Sequence, residues 1–353
     1  MAGARKILSI TWPSLRLKTR QMAGNLQTSN NIRAYLSTLV RRPEATITLV
    51  LVVLMTFFGT LNPDFIRPAN LAVMARGMSL LGIVTVGMAL CMIGGMVDIS
   101  IGATAGLAGS IFAMAMNRWD LPWMLAFGLP FVVTIGFALM NCTLILKGRM
   151  NPFIVTIATL FMARGLISFT TGGLTIYPLP DGFAEFANQK PLGLSWLFFI
   201  FIGVVILGEL ALRTLWGWKL RAVGSNREIA RCTEVETDKM TYSTFVIIGA
   251  AAGLAGLLGV MRMNGAQPLL GQGWEFQALA ACAIGGVSIF GFEGSIIGAF
   301  LGLATMQVLT NGLVAVGMSP YLQMMAIGGA LALAMYADAR RRIKLDIIGD
   351  NQI

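Results

Sequence analysis

From residue 44 to residue 338, long apolar stretches without an ionisable side chain alternate with short charged segments. Uncharged runs occupy 45–63, 77–97, 99–117, 121–146, 150–163, 191–208, 240–261 and 276–292, and a last one covers 294–337. A membrane-crossing helix needs about 20 mostly apolar residues, because in lipid each backbone N–H and C=O must find its partner within the segment. The final run is long enough for two such helices and is broken at Gly317-Met318-Ser319-Pro320. The pattern predicts an all-α polytopic membrane bundle of about ten transmembrane helices. A membrane-spanning domain over 44–338 is flanked by a basic arm (1–43) and a short tail (339–353). The two weakest spans are 276–292, which is short, and the one that carries Arg164.

Basic residues orient these spans. Twenty of the 26 Lys and Arg fall in the arm, in the loops around Lys147 and Arg149 and from Arg213 to Lys239, and in the tail. With ten spans all four segments share one side, so the positive-inside rule puts them, with both termini, in the cytoplasm. Arg67, Arg76, Arg118, Lys190 and Arg262 lie on the other side. Charges this close to the spans are explained by membrane lipid and topology, and nucleic acid is not expected as a partner. The first 20 residues are basic, with an apolar stretch interrupted at Trp12-Pro13. That is neither a secretory signal nor a span; a cytoplasmic arm or surface helix fits it, with a mitochondrial presequence as the lesser alternative. The loop over 171–191 is the largest external excursion, either a docking surface or a connector.

Composition narrows the chemistry. The chain is 56% hydrophobic and only 12% charged, against about 25% charged in soluble domains, which excludes an ordinary cytoplasmic enzyme. It contains no histidine, so imidazole-held metals and Ser-His-Asp chemistry are absent. Cys91, Cys142, Cys232 and Cys282 are too scattered for a metal site.

Small residues recur every four positions at Gly102 and Gly106, at Gly249 and Gly253, and at Gly294, Gly298 and Gly302. This spacing serves either close packing within the chain or a sliding or subunit-contact face. Cys91-Met92-Ile93-Gly94-Gly95 is echoed by Cys282-Ala283-Ile284-Gly285-Gly286, modest evidence for a duplicated half. Asp98 and Ser100 sit between two runs, where they either cap the next helix or form a polar hinge at a gate. Arg164 is costly in lipid and either lines a path or serves as an ion pair or carbonyl clamp. Glu209 and Arg213 are spaced as a helix pair.

Four motifs in order then point further. Gly94-Gly95-x-x-Asp98-Ile99-Ser100-Ile101-Gly102 resembles the G-G-x-D-[LI]-S-[VI]-G signature of ribose-type ABC importer permeases. Asn151-Pro152-Phe153-Ile154-Val155-Thr156, followed by Arg164-Gly165-Leu166, is similar to that family's second stretch. Gly217-Trp218-Lys219-Leu220-Arg221-Ala222-Val223-Gly224-Ser225-Asn226 resembles its cytoplasmic loop, and Gly285-Gly286-Val287-Ser288 with Gly294, Gly298, Asn311-Gly312-Leu313 and Ser319-Pro320 its C-terminal part. The chain departs from the pattern at Cys232-Thr233-Glu234-Val235-Glu236 and at Ile289-Phe290-Gly291-Phe292-Glu293.

The resemblance implies a multi-pass protein of the bacterial inner (plasma) membrane that carries a small sugar or sugar-like solute inward. Its implied partners are an ABC ATPase subunit, an extracytoplasmic solute-binding protein, and a second copy or a paralogous permease. The chain has no G-x-x-x-x-G-K-[ST] run, so it is not expected to be an enzyme or to bind a cofactor or metal; ATP and Mg belong to the ATPase. Gly217, Lys219, Arg221, Gly224, Asn226, Arg227 and Arg231 form the expected ATPase-coupling loop, their cations either pairing with ATPase carboxylates or fixing topology. Gly94, Gly95, Asp98, Ser100, Gly102, Gly285 and Gly286 form the expected gate. Path candidates are Asn151, Thr156, Arg164 and Asn311, with Arg262, Asn264, Gln267 and Glu275 at the external mouth. The rival reading is an ion-coupled secondary transporter, but Asp98 is the only acid in the first three spans and such a protein calls for several. A channel or a membrane enzyme fits less well still.

Overall fold

A computed structural model describes residues 43–319 and, beyond them, 321–323, 325–329, 332–333 and 335–336. The arm, apart from its last residue, and the tail lie outside the described residues. By its contacts the chain divides into residues 1–46 and residues 47–353.

Twelve helices are bounded among the described residues: α1 (Pro43–Leu61), α2 (Pro68–Ile93), α3 (Ile101–Asn117), α4 (Trp123–Leu146), α5 (Pro152–Thr171), α6 (Phe183–Asn188), α7 (Trp196–Arg213), α8 (Leu215–Ser225), α9 (Arg227–Cys232), α10 (Thr237–Met263), α11 (Trp274–Ile284) and α12 (Ile296–Ala315). Further helical residues follow between 321 and 336. No strand occurs among the described residues, only a bridging pair of Ile176 with Ala266. The expected all-α polytopic class holds. Seven helices, α1, α2, α4, α5, α7, α10 and α12, are long and apolar enough to cross a membrane.

Local chemistry sets the boundaries. Pro68 and Pro152 open α2 and α5, where a missing N–H costs nothing. Asn151, Ser195, Asn226 and Ser295 each accept a bond from a backbone N–H in the first turn of the helix they precede. The helices then sort by burial. The apolar windows of α2 and α10 are 83% and 78% buried, against 22–28% for α4, α5 and α7. α10 packs on α4, α3 and α2, and α2 also meets α12, α7 and α11.

The glycine series works inward. A Cβ at Gly256 would strike the Ala105 carbonyl, one at Gly249 the backbone of α4 at Ile135, and one at Gly302 the Ala281 carbonyl. These residues let helices of one chain approach closely. The alternative of a subunit-contact face at Gly249 and Gly302 is therefore set aside.

The 276–292 run is corrected. Only α11, 11 residues long, is helical there, and it follows a non-helical descent from Asn264 to Gly273. The uncharged run has the length of a span, yet Gly286 and Gly291 break it by taking positive φ.

Candidate functional site

The two glycine echoes end their helices in one geometry. Gly94 and Gly285 have φ/ψ of −74°/2° and −71°/0°, and Gly95 and Gly286 follow with φ of 79° and 80°. In each, the second glycine donates to the residue three back (Met92, Ala283) and the next residue to the one five back (Cys91, Cys282). This is a Schellman ending, which needs a left-handed residue where only glycine is unstrained. The duplicated element proposed from sequence is thus a duplicated helix ending.

The loops that follow meet at one node. Phe292 N–H donates to the Ile93 carbonyl at 3.0 Å. A Cβ on Gly95 would lie 3.3 Å from the Gly224 Cα, and one on Gly291 would lie 2.9 Å from the Gly95 Cα. Arg221 Nη1 donates to the Phe292 carbonyl at 3.0 Å. The end of α8 is therefore joined to both loops that follow the glycine endings, 94–100 and 286–294, where the gate was expected.

Asp98 and Ser100 are buried. Asp98 Oδ1 accepts from Ser100 N at 2.8 Å and from Ser100 Oγ at 2.6 Å, while Asn141 Nδ2 donates to Ser100 Oγ at 3.1 Å. Thr159 Oγ1 donates to Asn141 Oδ1 at 2.5 Å. Ser100, the residue before α3, makes no side-chain cap, but the Asp98 carboxylate satisfies the Ser100 N–H at the helix start, and the chain of bonds through Ser100 and Asn141 ties this loop to α4 and α5. Sequence reading missed Asn141 and Thr159; a lone amide and a lone hydroxyl inside apolar helices were the available signal.

Arg164 stands thirteenth in the 20-residue α5, about 18 Å from its start and a little past the middle of the helix. Its Nη1 donates to the carbonyls of Leu270 at 2.9 Å and Pro268 at 3.4 Å. It is a carbonyl clamp that holds the 264–273 strap against the interior of α5. Gly102 and Gly106 admit the strap: a Cβ on either would strike the Gly271 or Leu270 carbonyl. Along the strap Gln267, Leu269 and Gln272 are exposed. Irregular backbone at membrane depth is tolerated against protein or water, not against lipid. Glu275, a candidate for the external mouth, is buried in the first turn of α11. Arg262 donates to the Arg76 carbonyl, and Asn264 ends α10 in the left-handed region.

The remaining path candidates are dispersed. Asn151 caps α5, and Thr156 bonds back to Pro152 O on the same helix. Asn311 accepts from Asn70 at 3.0 Å, linking α12 to α2.

The segment expected to couple to an ATPase folds as α8 and α9 between α7 and α10. Gly217 allows a tight exit from α7 beside Leu212, and Trp216 Nε1 donates to Ser243 Oγ at 2.9 Å. Arg227 and Arg231 both reach Asp238, at 2.8 and 3.2 Å, and Arg231 also pairs with Glu228 at 3.2 Å. These two arginines brace α9 on α10. Lys219 is exposed, as are Leu215, Trp218 and Ile229.

The family described as "Branched-chain amino acid transport system / permease component" matches residues 70–335. The chain is similar to the ribose import permease protein of Bacillus subtilis (strain 168), with 30% identity over 294 residues, 82% of this chain and 91% of the relative. It is 28% identical to the L-arabinose ABC transporter permease protein of Azospirillum brasilense over 299 residues, 83% of this chain and 87% of the relative. It is 27% identical to the autoinducer 2 import system permease protein of Salmonella typhi over 304 residues, 86% and 87% of the two chains. No solved structure matches. With the family matched over most of its length and a ribose permease aligned nearly end to end, the chain belongs to the ribose-type family of ABC-importer permease components.

Proposed function

We propose that this chain forms the path for a small sugar or sugar-like solute across a bacterial inner membrane. Relatives are named for the import of ribose, L-arabinose and autoinducer 2, which supports that solute class. Members of the family are transporter subunits, so hydrolysis of ATP falls to a separate ATPase subunit. That subunit holds ATP and Mg, and this chain binds neither. A solute-binding protein delivers from outside, and a second copy or a paralogous permease completes the pore.

One observation carries the mechanism. The α8–α9 pair presents Leu215, Trp218, Lys219 and Ile229 outward and is joined at its inner end to both glycine-ended gate loops. An ATPase that grips α8 and α9 moves a rigid lever, and the lever moves both loops together. Apolar side chains exposed beyond the membrane suit a protein contact better than water. Alternating access needs two packings close in energy, and closely packed glycine contacts provide discrete alternatives without large rearrangement of side chains.

Gentle extraction of the tagged chain tests this. An ABC ATPase is expected to copurify, and its ATPase activity to rise when a sugar-loaded binding protein is added. Solute movement by the chain alone under an ion gradient, without ATP, would refute the reading.

A further inference from the structure

Three glutamines follow the strap. Gln267 and Gln272 are exposed on it, and Gln277 is half-buried in the opening turn of α11. None of the three side chains has a hydrogen-bond partner among the described residues. A Cβ on Gly273 would lie 3.9 Å from Gln277 Nε2, so the third amide stands beside the turn that ends the strap. Leu269 and Phe276 alternate with the glutamines and are 70% and 52% exposed.

This surface lies deep. A Cβ on Gly102 would strike the Gly271 carbonyl, and one on Gly106 the Leu270 carbonyl. Counted along α3, those glycines lie about 22 and 16 Å inside its Asn117 end, where Arg118 and Trp119 mark the membrane edge. The hydrocarbon core is about 30 Å thick, so Gln272, next to Gly271, stands within it. A primary amide turned to lipid there would leave two N–H donors and an acceptor unpaired, which hydrocarbon does not offset. The amides therefore face water or a polar partner.

The surface also selects its partner. From Asn264 to Gln277 the only ionisable side chain is Glu275, and it is buried. An ion would find no exposed counter-charge on this segment, whereas each amide offers the donor and the acceptor that a hydroxyl group matches. Leu269 and Phe276 supply apolar contact for the C–H faces of a ring. The surface has a direction as well: it begins where α10 ends at Met263, turns at Gly271 and Gly273, and continues along α11 to Gly285 and Gly286, where the gate was expected.

We propose that Gln267, Gln272 and Gln277, with Phe276 between the last two, form an amide track that passes the hydroxyl groups of a neutral polyhydroxylated solute from the outer mouth toward the gate. The inference rests on the importer reading and adds to it the residues that read the solute. A second copy of the chain lying on the same surface would also satisfy the amides, and the test separates the two.

The test uses the complete importer, with its ATPase and binding protein, in proteoliposomes during turnover. Gln272→Cys is treated on both faces with a membrane-impermeant methanethiosulfonate reagent, and modification at residue 272 is read by peptide mass spectrometry. The new thiol is expected to react about tenfold or more faster than the buried Cys282 of the same chain, because the reagent reaches only wetted thiolates. Uptake is measured with a panel of labelled neutral pentoses and hexoses. Gln272→Leu is expected to lower it about three- to tenfold and Gln272→Asn by less, with sugar affinity of the binding protein and ATPase copurification unchanged. A thiol no more reactive than Cys282 means that lipid or a second copy covers the surface and overturns the proposal, as does unchanged uptake in Gln272→Leu. Should Gln272→Cys fail to assemble, Gln267→Cys is read in the same way. If the parent importer moves no sugar, the importer reading falls and this proposal with it. If sugar moves while the thiol stays silent, only this proposal falls.

Discussion

Replacing Gly224 by alanine is the sharpest perturbation of the proposed lever. Gly224 lies within α8, whose backbone is helical there, so alanine carries no conformational strain and would ordinarily stabilise the helix by about 0.5–1 kcal/mol. The surroundings reverse that sign. The new Cβ would strike the Ile93 carbonyl and lie 3.0 Å from Phe292 N, directly on the hydrogen bond that joins the two gate loops. Overpacking of this kind typically costs about 1–3 kcal/mol, and the displaced hydrogen bond adds about 0.5–1.5 kcal/mol. After the helix gain is deducted, a loss of about 0.5–4 kcal/mol remains. Gly203→Ala is the control: it too is helical, in α7, and its Cβ meets nothing within 4 Å. The assays are thermal unfolding of the purified complex and sugar moved per ATP hydrolysed. Gly203→Ala should melt at or above the parent temperature with coupling intact. Gly224→Ala should melt several degrees lower, and sugar moved per ATP should fall more steeply than ATP hydrolysis. If the two variants are indistinguishable in both assays, the node is not the lever's attachment and the argument fails.

Further outcomes follow from the same geometry. Asn141→Leu strands the Thr159 hydroxyl and strips Ser100 of a donor, and should cost about 1–3 kcal/mol in thermal or denaturant unfolding. Adding Thr159→Val should restore part of that loss, since both partners are then apolar; a strictly additive loss would contradict the hydrogen-bonded chain. Asp238 is 59% exposed where it meets Arg227 and Arg231, so Asp238→Asn should lower stability by no more than about 1 kcal/mol. Its effect should appear instead in ATPase coupling, and a shift in melting larger than that of Asn141→Leu would mean the pair is structural. Trp218 is 69% exposed on α8. Trp218→Ala should leave melting within about 0.5 kcal/mol of the parent yet reduce ATPase recovery in pull-down; full recovery would move the docking surface elsewhere.

Sequence made most of the bundle legible because lipid enforces a strict rule: a spanning segment must be long, apolar and internally bonded. That rule found α1, α2, α4, α5, α7, α10 and α12. It failed at 276–292, where absence of charge was read as a span. The strap carries its own signal in Gln267-Pro268 and in Gly271 and Gly273, a polar residue and three breakers within ten positions. The contact of Glu275 was not legible either: a lone carboxylate gives no sign of its neighbour, and only the fold packs it behind Gly102. The glycine echo was readable because a Schellman ending is local, five consecutive residues with one backbone need. The node was not. Gly95, Gly224 and Gly291 are distant in the chain, and one sequence holds no record of which distant backbones touch. Arg164 fell between these cases. Its cost in lipid demanded a partner, and a carbonyl clamp was one of the readings, but which carbonyls it holds required the fold.

The same contacts connect the lever to the strap without a break. The end of α8 meets the 94–100 loop at Gly95, and the loop carries Asp98 and Ser100. Ser100 is bonded to Asn141 on α4, and Asn141 to Thr159 on α5. Five residues beyond Thr159 on the same helix, about 7.5 Å along its axis, Arg164 holds Leu270 O. Every link is a hydrogen bond, a backbone contact or a rigid helix, so a displaced node has a mechanical route to the strap. Contact alone does not establish coupling; a shared energetic effect does. A double-mutant cycle supplies that measure. Gly224→Ala perturbs one end of the chain and Asn141→Leu cuts its middle, at sites that do not touch. If the route carries the stroke, sugar uptake in the double variant should fall little below that of the worse single variant, because a broken link cannot be broken twice. Independent action would multiply the two losses instead. Multiplicative losses, with both proteins still folded and docked to the ATPase, would leave the polar chain as packing and return the question of how the strap moves to the α11–α12 side of the node.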